Sequence, residues 1–134
     1  ELMKDLPNGV FPGWINKFQM KSLSDMSIAT LAPYKNVKNF TLNIPNKIVD
    51  SLMLGLPILS PLKGEVAALI KSNKVGYTYN DNISLSDCIQ SLLNNDKLQK
   101  KMSENAKKLY DEEFEFDKVY DSLVNHLEGM VIKK

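Results

Sequence analysis

Residues 44–65, IPNKIVDSLMLGLPILSPLKGE, constrain the fold of this chain more than any other stretch. Pro45 suits a first helical turn, Ile48, Val49, Leu52 and Met53 recur at helical spacing, and Gly55 with Pro57 stops the helix. The segment PILS that follows is short and apolar on both sides, the pattern of a parallel strand covered by helices on both faces rather than of an edge strand. A glycine-containing turn, Lys63-Gly64-Glu65, closes the unit. A buried helix, a buried strand and a tight turn in this order leave few architectures open.

The flanks extend the alternation. NGVFPGWI predicts a short strand through about Phe11 and a turn at Pro12-Gly13; NKFQMKSLSDM places Phe18, Leu23 and Met26 at helical spacing; SIATLAPY reads as a strand ended by Pro33. KNVKNFTLN reads as a polar connector. After the central unit come a helix at about 65–73, a strand from Val75 (VGYTYN), a helix capped by Ser84 and two trailing helices, the last over about 116–130. Alternating strands and helices predict an α/β fold with a parallel sheet and right-handed crossovers.

Composition narrows the function classes. At 134 residues with 43% hydrophobic and 25% charged content, the chain is long enough for one packed core, and a net charge of +1 advertises neither nucleic acid nor an anionic membrane surface. No run approaches the roughly 18 apolar residues of a spanning helix. Cys88 is the single cysteine, lies in the apolar pattern of a helix and reads as a buried thiol, which fits a reducing compartment. His126 is the single histidine, so no metal set is expected. All 17 basic residues are lysine. Guanidinium clamps on phosphate are therefore impossible within the chain, and any anion must be held by lysines and backbone amides, which directs attention to helix N-termini.

Two such starts follow strands of the predicted sheet: Ile44-Pro45-Asn46-Lys47 and Leu62-Lys63-Gly64-Glu65. Ligands of open parallel sheets sit at this carboxyl end. A cation in a helix's first turn opposes the helix dipole unless an anion lies nearby, so Lys47 hints at a bound anion; an ion pair with Asp50 at i, i+3 on a solvated face is the simpler explanation from the residues alone. Asp50 lies among apolar residues in a helix interior, a poor place for aspartate, and its carboxylate suits the hydroxyls of a ribose as well as it suits Lys47. Gly64 either supplies a positive φ to a turn or lets a phosphate approach the backbone. Trp14, beside Gly13, reads as a core or lid aromatic or as a platform for a base.

The order VFPGWI, DMSIATLAP, IPNKIVDSLMLGLPILSPLKGEVAALIKSNKVGYTYN resembles the C-terminal, donor-binding domain of GT-B glycosyltransferases, in particular the large retaining family four, over about residues 9–80. PNKIVDSLMLGLPILS carries most of the likeness. The resemblance implies a Rossmann-like three-layer αβα fold with a parallel sheet, a truncated nucleotide-sugar-binding domain over 1–115, and a C-terminal helix over 116–134 that crosses toward a second, N-terminal half absent from this sequence. It implies a nucleotide-diphosphate sugar as cosubstrate, with no further cofactor and no metal, and a glycan or lipid-linked acceptor held by the other half. It also implies a cytoplasmic parent enzyme, with peripheral association at the inner membrane face. By position, Asp50 takes the place of the ribose-binding glutamate, Asn46 and Lys47 face the diphosphate, Lys63, Gly64 and Glu65 form the turn beside the phosphates and donor sugar, and Gly13, Trp14 and Ile15 edge the base. The chain departs from the family in having Leu42 where many members carry a first glutamate, and an acidic residue one methylene shorter at Asp50. Glu1–Asp5 reads as the tail of a preceding helix, so the chain is expected to be part of a longer enzyme and to transfer nothing alone. A non-catalytic nucleotide-binding subunit working with a separate acceptor partner is the alternative.

Overall fold

The computed structural model describes residues 7–131. The reading of Glu1–Asp5 as a helix tail lies outside them. Three parallel strands, β1 (Thr30–Leu31), β2 (Ile58–Ser60) and β3 (Gly76–Thr78), form one sheet in that spatial order. Seven α-helices are found among the described residues: α1 (Lys17–Asp25), α2 (Lys38–Thr41), α3 (Asn46–Leu54), α4 (Glu65–Asn73), α5 (Leu85–Leu93), α6 (Asp96–Leu109) and α7 (Phe116–Val131), with a π-helical turn at Tyr110–Phe114 before the last.

The central unit folds as its residues dictate. Pro45 stands at φ −62° just before α3, and Gly55 adopts φ +68° just after it. There the Gly55 amide donates to the Leu52 carbonyl and the Leu56 amide to that of Ser51, both at 2.9 Å, which satisfies carbonyls the helix end would otherwise orphan. The chain then enters β2, all of whose residues are buried. Successive strand residues point to opposite faces, and the cores follow that rule. Ile58 packs with Ile48 and Leu52 of α3, Val66 and Ile70 of α4, and Ala106 of α6; Leu59 packs with Cys88 and Leu92 of α5 and Met102 of α6. Helices therefore cover both faces of β2, with α6 reaching both clusters.

Elsewhere local chemistry fixes the ends. The Asn16 side chain accepts from the Gln19 amide at 2.9 Å while Gln19 Oε1 accepts from the Asn16 amide at 2.8 Å, a reciprocal cap that starts α1. Ser84 accepts from the Asp87 amide at 3.0 Å, as expected of a cap for α5.

Two expectations are corrected. Residues 9–12 form no strand, and Val10 is 86% exposed. An extended apolar stretch becomes a strand only where a neighbour pairs with its amides and carbonyls, and within the described residues β1 pairs with β2 alone. The polar connector holds a helical turn, α2, anchored by Phe40 against Tyr34 with ring centroids 4.9 Å apart. At the other end Glu115 is extended (φ −61°, ψ 134°), and α7 starts at the next residue. Phe116, Tyr120, Leu123, Leu127 and Met130 form a stripe along α7 that the described residues leave about half exposed.

Candidate functional site

Because the strands are parallel, the connections leaving β1 and β2 emerge at the same end of the sheet, and α3 and α4 begin there. Neither helix start is capped by a side chain. The Ile48 amide turns back to the Pro45 carbonyl at 2.8 Å, and the Ala68 amide to that of Gly64 at 3.0 Å, leaving the amides between them available.

Lys47 and Asp50 are both exposed, one turn apart on α3. Among the described residues the ion pairs are Lys21–Asp25, Lys101–Glu104 and Lys108–Glu112, so the Lys47–Asp50 pair, the competing explanation for both residues, does not form. Instead Lys47, Asp50, Ser51 and Leu54, at helical spacing on one face of α3, line a cleft of about 250 Å³ opposite Met20 and Leu23 of α1. Of the cleft's hydroxyls, those of Ser24, Ser27 and Ser51 donate to the carbonyls of Lys21, Leu23 and Lys47 at 2.7, 2.7 and 2.6 Å. The Lys47 ammonium and the Asp50 carboxylate are the charged side chains left to meet a ligand there. One donates only and the other accepts only, a complement to a phosphate oxygen on one side and to hydroxyls on the other.

The start of α4 is built by three separate tethers. Leu62 is buried in the core at 1% exposure and its amide reaches the Ser60 hydroxyl at 3.3 Å, while that hydroxyl donates to the Ala32 carbonyl at 2.9 Å. The Asn36 carboxamide donates to the Pro61 carbonyl at 2.8 Å and accepts from the Lys63 amide at 2.7 Å. Gly64 has φ +69° and ψ −137°, and a Cβ there would stand 2.1 Å from the Thr41 carbonyl oxygen. Both the backbone conformation and the approach of α2 therefore demand glycine, without any ligand. Lys63 and Glu65 are exposed, and Glu65 already offers the helix dipole a negative charge.

The predicted residues do not all converge. Lys47 and Asp50 share a cleft whose lining does not include Lys63, Gly64 or Glu65. Asn46 is exposed at the head of α3. Gly13 has φ +74° with nothing within 4 Å of its would-be Cβ, Trp14 is fully exposed, and Ile15 is half-buried. Trp14 is thus no core residue, and the lid and platform readings remain. Asn36 and Thr41, which shape the turn, carried no signal in the sequence, since their partners lie more than twenty residues away.

A second cavity, about 340 Å³, lies between α4, α5 and β3. Cys88 reaches its wall while itself only 2% exposed, and burial, with the Asp87 charge second, pushes its thiol above the ordinary range. That is the signature of an inert thiol rather than a nucleophile. His126 is exposed, and no group of three or more metal-ligating side chains occurs among the described residues. Nor, among the described residues, is any helix long and apolar enough to cross a membrane. Comparison with protein-family models, curated proteins and solved structures gave no match.

Proposed function

We propose that this chain is the donor-binding portion of a retaining GT-B glycosyltransferase, a Rossmann-like half that holds a nucleotide-diphosphate sugar for transfer to a glycan or lipid-linked acceptor. The observation that carries the reading is Lys47 in the first turn of α3, which has no ion-pair partner among the described residues and lines one cleft with Asp50, a cleft that runs along α3 from its head at the carboxyl end of the parallel sheet down to Ser27 and Leu56, ahead of β1 and β2. A cation left there without a protein partner is unfavourable beside the positive end of the helix dipole, and a bound diphosphate reverses the sign of that term. In this reading Lys47, Asn46 and the free amides of α3 and α4 take the diphosphate and stabilise its charge as the glycosyl bond breaks. Asp50 accepts from the ribose hydroxyls, and Gly13, Trp14 and Ile15 lie along the base. The apolar stripe of α7 packs on the acceptor-binding half.

Calorimetric titration of the full-length protein with UDP, GDP and ADP, and with the corresponding nucleosides, tests the assignment. One diphosphate is expected to bind at least tenfold more tightly than its nucleoside, in line with charge-assisted hydrogen bonds worth about 1.5–3 kcal/mol. Failure of all three diphosphates to bind refutes it.

A further inference from the structure

We infer that Asn36 is a positioning residue, which sets the amide donors at the start of α4 against the diphosphate; the inference rests on the donor-site reading above. Asn36 leaves the sheet on the connection after β1, yet its carboxamide bonds across to the turn after β2, at Pro61 and at Lys63. The two bonds use one donor and one acceptor in a fixed plane, as a neighbouring strand would, and they bracket Leu62, whose side chain is locked in the core. Two residues further on, Gly64 lies against the Thr41 carbonyl, on the same connection as Asn36. The connection that delivers α3 and the turn that delivers α4 are thereby joined at two points. Moving one helix start relative to the other requires breaking the carboxamide bridge. Asn36 itself is exposed, so the bridge adds little to the core and much to the relative placement of two sets of amides.

The carboxamide is needed because both of its functions are used. Alanine removes both bonds. Aspartate keeps an acceptor for the Lys63 amide, sets a carboxylate against the Pro61 carbonyl, and adds a negative charge beside the proposed diphosphate. A role confined to stability therefore orders the variants differently from a positioning role. If only hydrogen bonds count, Asn36→Asp retains one of two and falls between the native protein and Asn36→Ala. If the bridge positions phosphate-binding amides, diphosphate affinity falls in the order native, Asn36→Ala, Asn36→Asp, while nucleoside affinity stays level.

The experiment measures dissociation constants of the full-length protein and both variants for the nucleoside diphosphate that the native protein binds best and for its nucleoside, together with urea midpoints and hydrogen exchange at the Lys63 amide. The expected result is a loss of about tenfold for the diphosphate in Asn36→Ala and more in Asn36→Asp, unchanged nucleoside binding, and faster exchange at Lys63 in Asn36→Ala. Equal diphosphate affinity in all three proteins, or loss that tracks the urea midpoint alone with Asn36→Asp intermediate, overturns the inference and leaves the donor site standing. Absence of diphosphate binding in the native protein overturns both.

Discussion

Three glycines with nearly the same φ provide an internal experiment on what fixes the turn before α4. Gly13, Gly55 and Gly64 have φ of +74°, +68° and +69°, so an alanine at each meets a comparable left-handed penalty, about 1–2 kcal/mol. They differ in what the new methyl group would touch. At Gly13 there is nothing within 4 Å; at Gly55 the nearest atom is the far end of the flexible Lys107 side chain, which can swing into solvent; at Gly64 it is the Thr41 carbonyl oxygen, at 2.1 Å. A methyl group cannot share that space with a backbone oxygen, so α2 or the turn must shift, adding about 1–3 kcal/mol of overpacking. The ψ of −137° at Gly64 removes even the ordinary left-handed well. The expected costs are therefore about 1 kcal/mol for Gly13→Ala, 1–2 for Gly55→Ala and 4 for Gly64→Ala. Urea unfolding followed by circular dichroism reads them directly. With a slope of about 2 kcal/mol per molar, Gly64→Ala should move the midpoint by about 2 M and Gly13→Ala by about 0.5 M. Equal midpoints for Gly64→Ala and Gly13→Ala would show that α2 does not bear on the turn and would remove one of its three tethers.

Two further predictions follow from burial. Cys88 should resist a thiol reagent such as iodoacetamide until the protein unfolds, and because burial holds its thiol protonated in the folded state, stability should be level below about pH 8.5 and fall as the pH rises above it. Tyr79, raised mainly by burial and then by Cys88, acts in the same direction at higher pH; stability that rises with alkaline pH would contradict both. Trp14→Ala should leave the unfolding free energy from urea titration within about 0.5 kcal/mol of the native value, as an exposed side chain does. A loss well above 1 kcal/mol would mean that Trp14 packs in a core after all.

The sequence carried the fold where one residue type has one physical use. Pro45, Gly55 and the doubly apolar PILS fixed α3 and β2 in advance, because a missing amide, a left-handed cap and burial on both faces each admit few alternatives. It failed where the deciding partner is distant. Residues 9–12 have the composition of a strand and no partner among the described residues, and α2 depends on Tyr34 as much as on its own residues. At the candidate site, Lys47 and Asp50 stood out as charges in an apolar helix, and their shared cleft follows from helical periodicity. The choice between an ion pair and two free charges could not be read, since i, i+3 spacing permits both. Gly64 was legible as a glycine with a purpose, but Thr41, which sets that purpose, was not. Asn36 is one of many polar residues in a polar connection, and only the fold brings it to Pro61 and Lys63.

The central claim, that Lys47 holds an anionic group at the head of α3, is tested most directly by measuring diphosphate affinity in Lys47→Ala as a function of salt. A charge pair at about 4 Å is worth about 1 kcal/mol in water and about 4 kcal/mol at a protein surface of lower effective dielectric, and the exposure of Lys47 places it toward the lower end. The variant should therefore bind the diphosphate about 5- to 30-fold more weakly at low ionic strength, with the difference shrinking as salt is added and with nucleoside binding unaffected. Diphosphate binding that is equally tight in the native protein and in Lys47→Ala at every salt concentration would contradict the claim.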